Sequence, residues 1–129
     1  MFMLPHTPRL LIVEDNKDAI AILKIVLEKK GFDTILAPNM RSGIEIGTIN
    51  DFDLLLCDIG LPDGTGIDVL VALRKIKDFP AIAFTALTMP SDIISQMEAG
   101  FDLHIAKPFH FSDLFDAINK LLELQPTHA

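Results

Sequence analysis

Short apolar runs separated by stretches of helical period restrict the fold of this chain more than any other feature. The runs are residues 10–13 (LLIV), 34–37 (TILA), 54–57 (LLLC), 81–84 (AIAF) and 103–106 (LHIA). Each is too short for a helix and reads as a strand; the unbroken run 10–13 reads as buried on both faces, and 54–57 as a further buried strand. Between them, Ala19, Ile22, Leu23, Val26 and Leu27 recur at the three-to-four spacing of one helix face, and Gly31 follows as a stop. A weaker helix with Gly43 and Gly47 is expected over 40–47, and a third with Ile67, Leu70, Leu73 and Ile76 on its inner face. Ser91 is the expected cap of a fourth, ended by Gly100, and Ser112 of a fifth, whose core face is Leu114, Phe115, Ile118, Leu121 and Leu122.

Strands alternating with helices predict a parallel sheet covered on both faces, joined by right-handed crossovers. For a chain of 129 residues the doubly wound α/β architecture with five strands in the order 2-1-3-4-5 and five helices fits best. With no repeat or linker, the expectation is one domain over residues 1–129, its core spanning 9–124.

Composition narrows the function. Eleven basic residues against eighteen acidic give a net charge of −7, which argues against a direct nucleic-acid surface and favours cations or basic proteins as partners. No apolar run approaches the roughly 18 residues of a membrane span, and the first residues lack the charged and apolar regions of a secretory signal. Cys57 is the single cysteine, so no internal disulfide exists. On its strand it alternates with Asp58 and is expected in the core. His6, His104, His110 and His128 show no ligand spacing, which argues against zinc. A soluble cytoplasmic domain that does not engage a membrane is the expected class.

In an open α/β sheet, ligands bind beyond the carboxyl ends of the strands, where strand order reverses. In the predicted order that point lies between the first and third strands. Glu14 and Asp15 follow the first apolar run, Asp58 the third, Thr85 the fourth and Lys107 the fifth. Three carboxylates at one edge form a hard-oxygen site suited to Mg²⁺. An ammonium and a hydroxyl beside them would stabilise a phosphoryl group in transfer to a carboxylate nucleophile. Two adjacent acids at positions 14 and 15 are tolerable because a cation belongs next to them.

These residues resemble the receiver domain of two-component response regulators (the CheY-like superfamily). The likeness covers VEDN with Glu14 and Asp15, LLLCDIGLPDGTG with Asp58, Pro62 and Gly66, FTA with Thr85, and IAKPF with Lys107 and Pro108. It implies that Asp58 accepts a phosphoryl group from the phosphohistidine of a sensor histidine kinase or phosphotransfer protein. It further implies that Asp15, Asp58 and the Gly60 carbonyl bind Mg²⁺, with Glu14 acting largely through water, and that Thr85 and Lys107 contact the phosphoryl oxygens. The implied role is signalling rather than enzymatic turnover, with a downstream output protein reading the surface of the fourth helix, fifth strand and fifth helix.

Departures from the pattern are His104, where an aromatic Tyr or Phe switch residue is usual beside Thr85, and Thr65, where Asp is frequent. The phrases DIGLP and GFDLHIAKP are similar to receivers of hybrid sensor kinases. Gly60 and Leu87 flank the expected path of hydrolytic water and offer it no polar side chain, which predicts a slowly hydrolysed phosphoryl group. The alternative reading is a phosphatase of the haloacid dehalogenase type, which shares an aspartate nucleophile, Mg²⁺, Thr and Lys. It needs a second acid at position 60, where this chain has glycine. A flavodoxin-like FMN site would need a hydroxyl- and glycine-rich loop after the first strand, where this chain has EDNKD.

Overall fold

The computed structural model describes residues 7–86 and 89–123. In chain order the elements are β1 (Arg9–Val13), α1 (Lys17–Lys29), β2 (Asp33–Ala37), α2 (Met40–Ile49), β3 (Leu54–Asp58), β4 (Gly60–Leu61), β5 (Gly64–Thr65), α3 (Gly66–Arg74), β6 (Ala81–Thr85), α4 (Ser91–Gly100), β7 (Leu103–Ala106) and α5 (Phe111–Glu123). The main sheet is parallel throughout, in the order β2-β1-β3-β6-β7. With β4 and β5 set aside as a separate two-stranded hairpin, this is the expected order 2-1-3-4-5.

The apolar runs of β1, β3 and β6 are buried on both faces because alternate side chains enter two different cores, whereas the edge strands β2 and β7 are only partly buried. Leu11, Val13, Leu55, Cys57, Ala81 and Ala83 pack with Val69, Leu70 and Leu73 of α3 and Met97 of α4. Leu10, Ile12, Leu54, Leu56, Ile82 and Phe84 pack with Leu23 and Leu27 of α1 and Leu114, Ile118, Leu121 and Leu122 of α5. The glycines of α2 let it lie close to the sheet and to α3. A β-carbon at Gly43 would stand 3.0 Å from Val13 Cγ2, and one at Gly47 would stand 2.7 Å from Leu73 Cδ1.

Helix ends follow local chemistry. Asn16 caps α1 by accepting the Ala19 N–H at 2.9 Å. Beyond the other end, Gly31 takes φ 95°, a left-handed conformation that a side chain would strain. Three sequence expectations need correction. Pro90, not Ser91, is the N-cap of α4: its carbonyl accepts the Ile94 N–H at 3.1 Å, so the helix begins one residue early. Ser112 lies inside α5, which begins at Phe111. Ile76 is 56% exposed and beyond α3, because the Ile76 and Lys77 N–H groups both turn back to the Leu73 carbonyl at 3.1 Å. Lys77 then donates to the carbonyls of Gly47 and Asn50 at 2.7 and 3.0 Å.

Ile118 is fully buried and Ile49 is 80% exposed, so truncation should separate the two sharply. Ile118→Ala is expected to lower the unfolding free energy by about 2–5 kcal/mol. Ile49→Ala should stay within about 0.5 kcal/mol of the parent. Urea unfolding followed by far-ultraviolet circular dichroism checks both values.

Candidate functional site

The ladder of β1 continues one residue past the strand, where the Glu14 N–H donates to the Ala37 carbonyl at 3.0 Å. Glu14 therefore stays between neighbouring strands and is only 1% exposed. The chain then turns outward, leaving Asp15 in solvent ahead of the Asn16 cap. Asp58 is the last residue of β3 and is partly buried. Lys107 follows β7, held by its N–H to the Thr85 carbonyl at 2.8 Å.

The Lys107 ammonium joins these groups. It donates to Glu14 Oε1 and, at 3.0 Å, to Asp58 Oδ2. Below it lies the Phe84 ring, with its centroid 5.6 Å from Nζ, and Phe84 in turn stacks on Phe109 at 5.2 Å. Burial first, and then the adjoining Asp58 carboxylate, pushes the Glu14 acid up to about 7, although Lys107 pulls the other way. Burial also acts against the charge of Lys107, but its bonds to Glu14 and Asp58 outweigh it and hold the lysine above its usual range. The fully buried Cys57 thiol is pushed far up by burial, which makes it an inert core group, as expected.

Glu14, Asp15 and Asp58 each bring one carboxylate oxygen within 4.8 Å of the others. Glu14 Oε2 is buried without a hydrogen-bond partner. A buried acceptor left unmatched beside two further carboxylates fits a hard divalent cation such as Mg²⁺, which takes oxygen ligands and keeps part of its water.

The segment after Asp58 is tied down rather than loose. The Gly66 N–H donates to the Ile59 carbonyl at 2.9 Å, and a β-carbon at Gly66 would run into the backbone carbonyl of Asp58. Thr65 and Asp68 form a capping box on α3. Asp63 accepts the N–H groups of Met40 and Arg41, at 2.8 and 3.0 Å, and these bonds hold its carboxyl below the usual range. The sequence marks this stretch only as a dense turn; neither the Asp63 bonds nor the close approach at Gly66 was anticipated. Gly60 is exposed, with open space where a β-carbon would stand.

Thr85 ends β6 and is 7% exposed. By alternation it follows Ala81 and Ala83 onto the sheet face that carries α3 and α4. His104 lies opposite Ala83 and so belongs to the same face, exposed at a 270 Å³ cleft with Met97, Glu98 and Phe101. Leu87 lies outside the described residues. On the other face, a groove of 500 Å³ runs from Glu14 and Lys107 over Ala19, Ile22 and Leu23 to Phe109 and Phe111. Phe109, Phe111 and Phe115 are partly buried and packed against the α1–α5 core.

The family model of the response regulator receiver domain matches residues 10–119. Among known proteins, the cell cycle transcriptional regulator CtrA of Caulobacter vibrioides is 30% identical over 122 residues, 94% of this chain and 53% of that protein. The transcriptional regulatory protein CusR of Escherichia coli is 36% identical over 115 residues, 88% of this chain and 51% of that protein. The chain thus spans about half the length of these curated relatives. A CheY-like receiver domain protein from Methanospirillum hungatei superposes with a TM-score of 0.83 at 28% identity, covering 92% of this chain and 95% of the other. The signal receiver domain of a histidine kinase from Syntrophus aciditrophicus gives 0.84 at 28% identity, covering 95% and 96%.

The raised Glu14 acid gives metal-free stability a definite pH dependence. Between the ordinary value of 4.5 and about 7, the folded chain binds more protons at Glu14 than the unfolded chain does. Stability should therefore be greatest at the acid end of this window and fall as pH rises through it, by up to about 3 kcal/mol. Urea midpoints in EDTA between pH 5 and 7.5 test this, and Glu14→Gln should flatten the profile.

Proposed function

The chain belongs to the response regulator receiver domain family of two-component signalling, and from that premise we propose that Asp58 is its phosphoacceptor. The observation that carries the proposal is the Lys107 ammonium, which donates to Asp58 Oδ2 while also holding the buried Glu14. An Asp58 oxygen attacks the phosphorus of a phosphohistidine on a donor protein; a P–O bond forms as the P–N bond breaks, and the imidazole leaves. Lys107 is placed to shift a hydrogen bond from Asp58 to an equatorial phosphoryl oxygen as negative charge moves outward. Thr85 supplies a second donor through its hydroxyl. Asp15, Asp58 and the Gly60 carbonyl would hold Mg²⁺, with Glu14 acting largely through water, and the cation would neutralise charge on the phosphoryl oxygens.

Asp58 is modified rather than regenerated with each event, which is the behaviour of a signalling domain. The donor would be a sensor histidine kinase or a phosphotransfer protein. A downstream output protein would read α4, β7 and α5. Such a kinase presents its phosphohistidine in the cytoplasm, which is the location proposed for this chain; among the described residues no helix is long and apolar enough to cross a membrane. The switch would use Thr85 and His104, which share one sheet face on neighbouring strands.

Labelling by acetyl phosphate or a phosphohistidine donor should be lost in Asp58→Asn and in EDTA. Undiminished label on the Asn variant would rule out Asp58. Phosphorylation or a stable phosphoryl mimic should also shift amide resonances of α4 and β7 around His104, an effect reduced in Thr85→Ala. Shifts confined to the neighbourhood of Asp58 would refute the assignment of the output face.

A further inference from the structure

Three glycines, at positions 60, 64 and 66, lie within the seven residues that follow Ile59. Glycine-rich backbone loses the most conformational freedom on ordering, so a segment of this kind needs fixed points if it is to present a carbonyl to a ligand. The hairpin pairs Gly60 with Thr65 and Leu61 with Gly64, and its turn carries Asp63.

Asp63 leaves its own hairpin and seats on a different element. Its Oδ1 accepts the Met40 N–H at 2.8 Å and its Oδ2 accepts the Arg41 N–H at 3.0 Å. These are the first two N–H groups of α2; the next, that of Ser42, is accepted by Asn39 Oδ1 at 2.8 Å, and the Gly43 N–H by the Asn39 carbonyl at 3.0 Å. Each of the four donors at the start of α2 is thus matched, two of them by a residue 23 or 22 positions away in sequence. The anchor itself is firm, since Gly43 sets the helix against Val13 of β1, the strand that leads into Glu14.

We propose that Asp63 is a positioning residue of the acidic site: by clamping the β4–β5 hairpin to the first turn of α2, it holds the Gly60 carbonyl in register with the carboxylates of Asp15 and Asp58. The inference rests on the reading of those three groups as cation ligands. Outer partners that orient ligands contribute to affinity without touching the ion. A carboxylate on a rigid helix end does so for a backbone ligand that has no side chain of its own to anchor it. Asp63 is exposed, so its removal leaves the cores of the fold intact.

The test is a Mg²⁺ titration of the whole chain followed by amide NMR shifts, with urea unfolding in parallel. Asp63→Ala should weaken Mg²⁺ binding by about tenfold. Asp63→Asn, which keeps one acceptor oxygen, should recover part of that loss. Lys77→Ala removes the bonds to the far end of α2, at Gly47 and Asn50. It should lower stability while leaving Mg²⁺ affinity unchanged, which separates clamping of the hairpin from general support of the helix. Wild-type affinity in Asp63→Ala, or an equal loss in Lys77→Ala, overturns the proposal alone. A parent chain without Mg²⁺-dependent shifts at Asp15, Asp58 and Gly60 overturns the cation reading and the proposal with it.

Discussion

The Lys107 ammonium holds together two carboxylates that the sheet forces into proximity. Glu14 cannot move away, because its backbone is part of the β1–β2 ladder, and Asp58 is the last residue of the adjoining strand. Once both acids are ionised, two unit charges about 4 Å apart at an effective dielectric near 20 repel by about 4 kcal/mol, a large fraction of the net stability of a small domain. Lys107 relieves this by donating to both acids, with the Phe84 ring centroid 5.6 Å from its ammonium. The compensation is incomplete: one Glu14 oxygen remains unmatched. That unmatched acceptor is what a bound cation would complete on the proposed reading.

Strand alternation decides where everything else lies. Because successive side chains point to opposite faces, β1, β3 and β6 each feed two cores, and the helices divide into α1 with α5 on one side and α2, α3 and α4 on the other. Glu14 and Asp58 share the parity of Leu10, Ile12, Leu54 and Leu56, so the carboxylates lean toward the α1–α5 side. Thr85 shares the parity of Ala81 and Ala83 and leans toward the α4 side. A substitution that slipped the register of β3 by one residue would exchange Cys57 for Asp58 and bury the acid.

The fold was legible because its strands are dense apolar runs, for which only a doubly covered parallel sheet offers enough burial. The strand order and the convergence of Glu14, Asp15, Asp58, Thr85 and Lys107 at one edge followed from that. What escaped were contacts between segments distant in sequence. Asp63 reads locally as a turn residue, and only the packing of α2 brings the N–H groups of Met40 and Arg41 above it. Gly66 reads as turn punctuation, whereas its role is to make room for the Asp58 carbonyl. Helix ends were misread where a competing group took the capping position, as Pro90 does ahead of Ser91. Ile76 fits the helical period of α3, but the backbone had already turned back to the Leu73 carbonyl.

The two faces are joined where Lys107 meets Thr85. The lysine side chain reaches the carboxylates, while its own N–H is held by the Thr85 carbonyl at 2.8 Å. On the proposed reading, a phosphoryl group at Asp58 competes for the ammonium on one face and for the Thr85 hydroxyl from the other. Any adjustment of Thr85 then acts on the residues that share its face, Ala83 and the neighbouring His104 of β7. The α1–α5 core need not rearrange, since its side chains project the other way. A ligand shifts such an equilibrium only by its differential affinity for the two states. Two donors that reach it from opposite faces of the sheet supply that difference when one arrangement satisfies both and the other satisfies only one. On that reading the signal would be carried at the end of the β6–β7 strand pair.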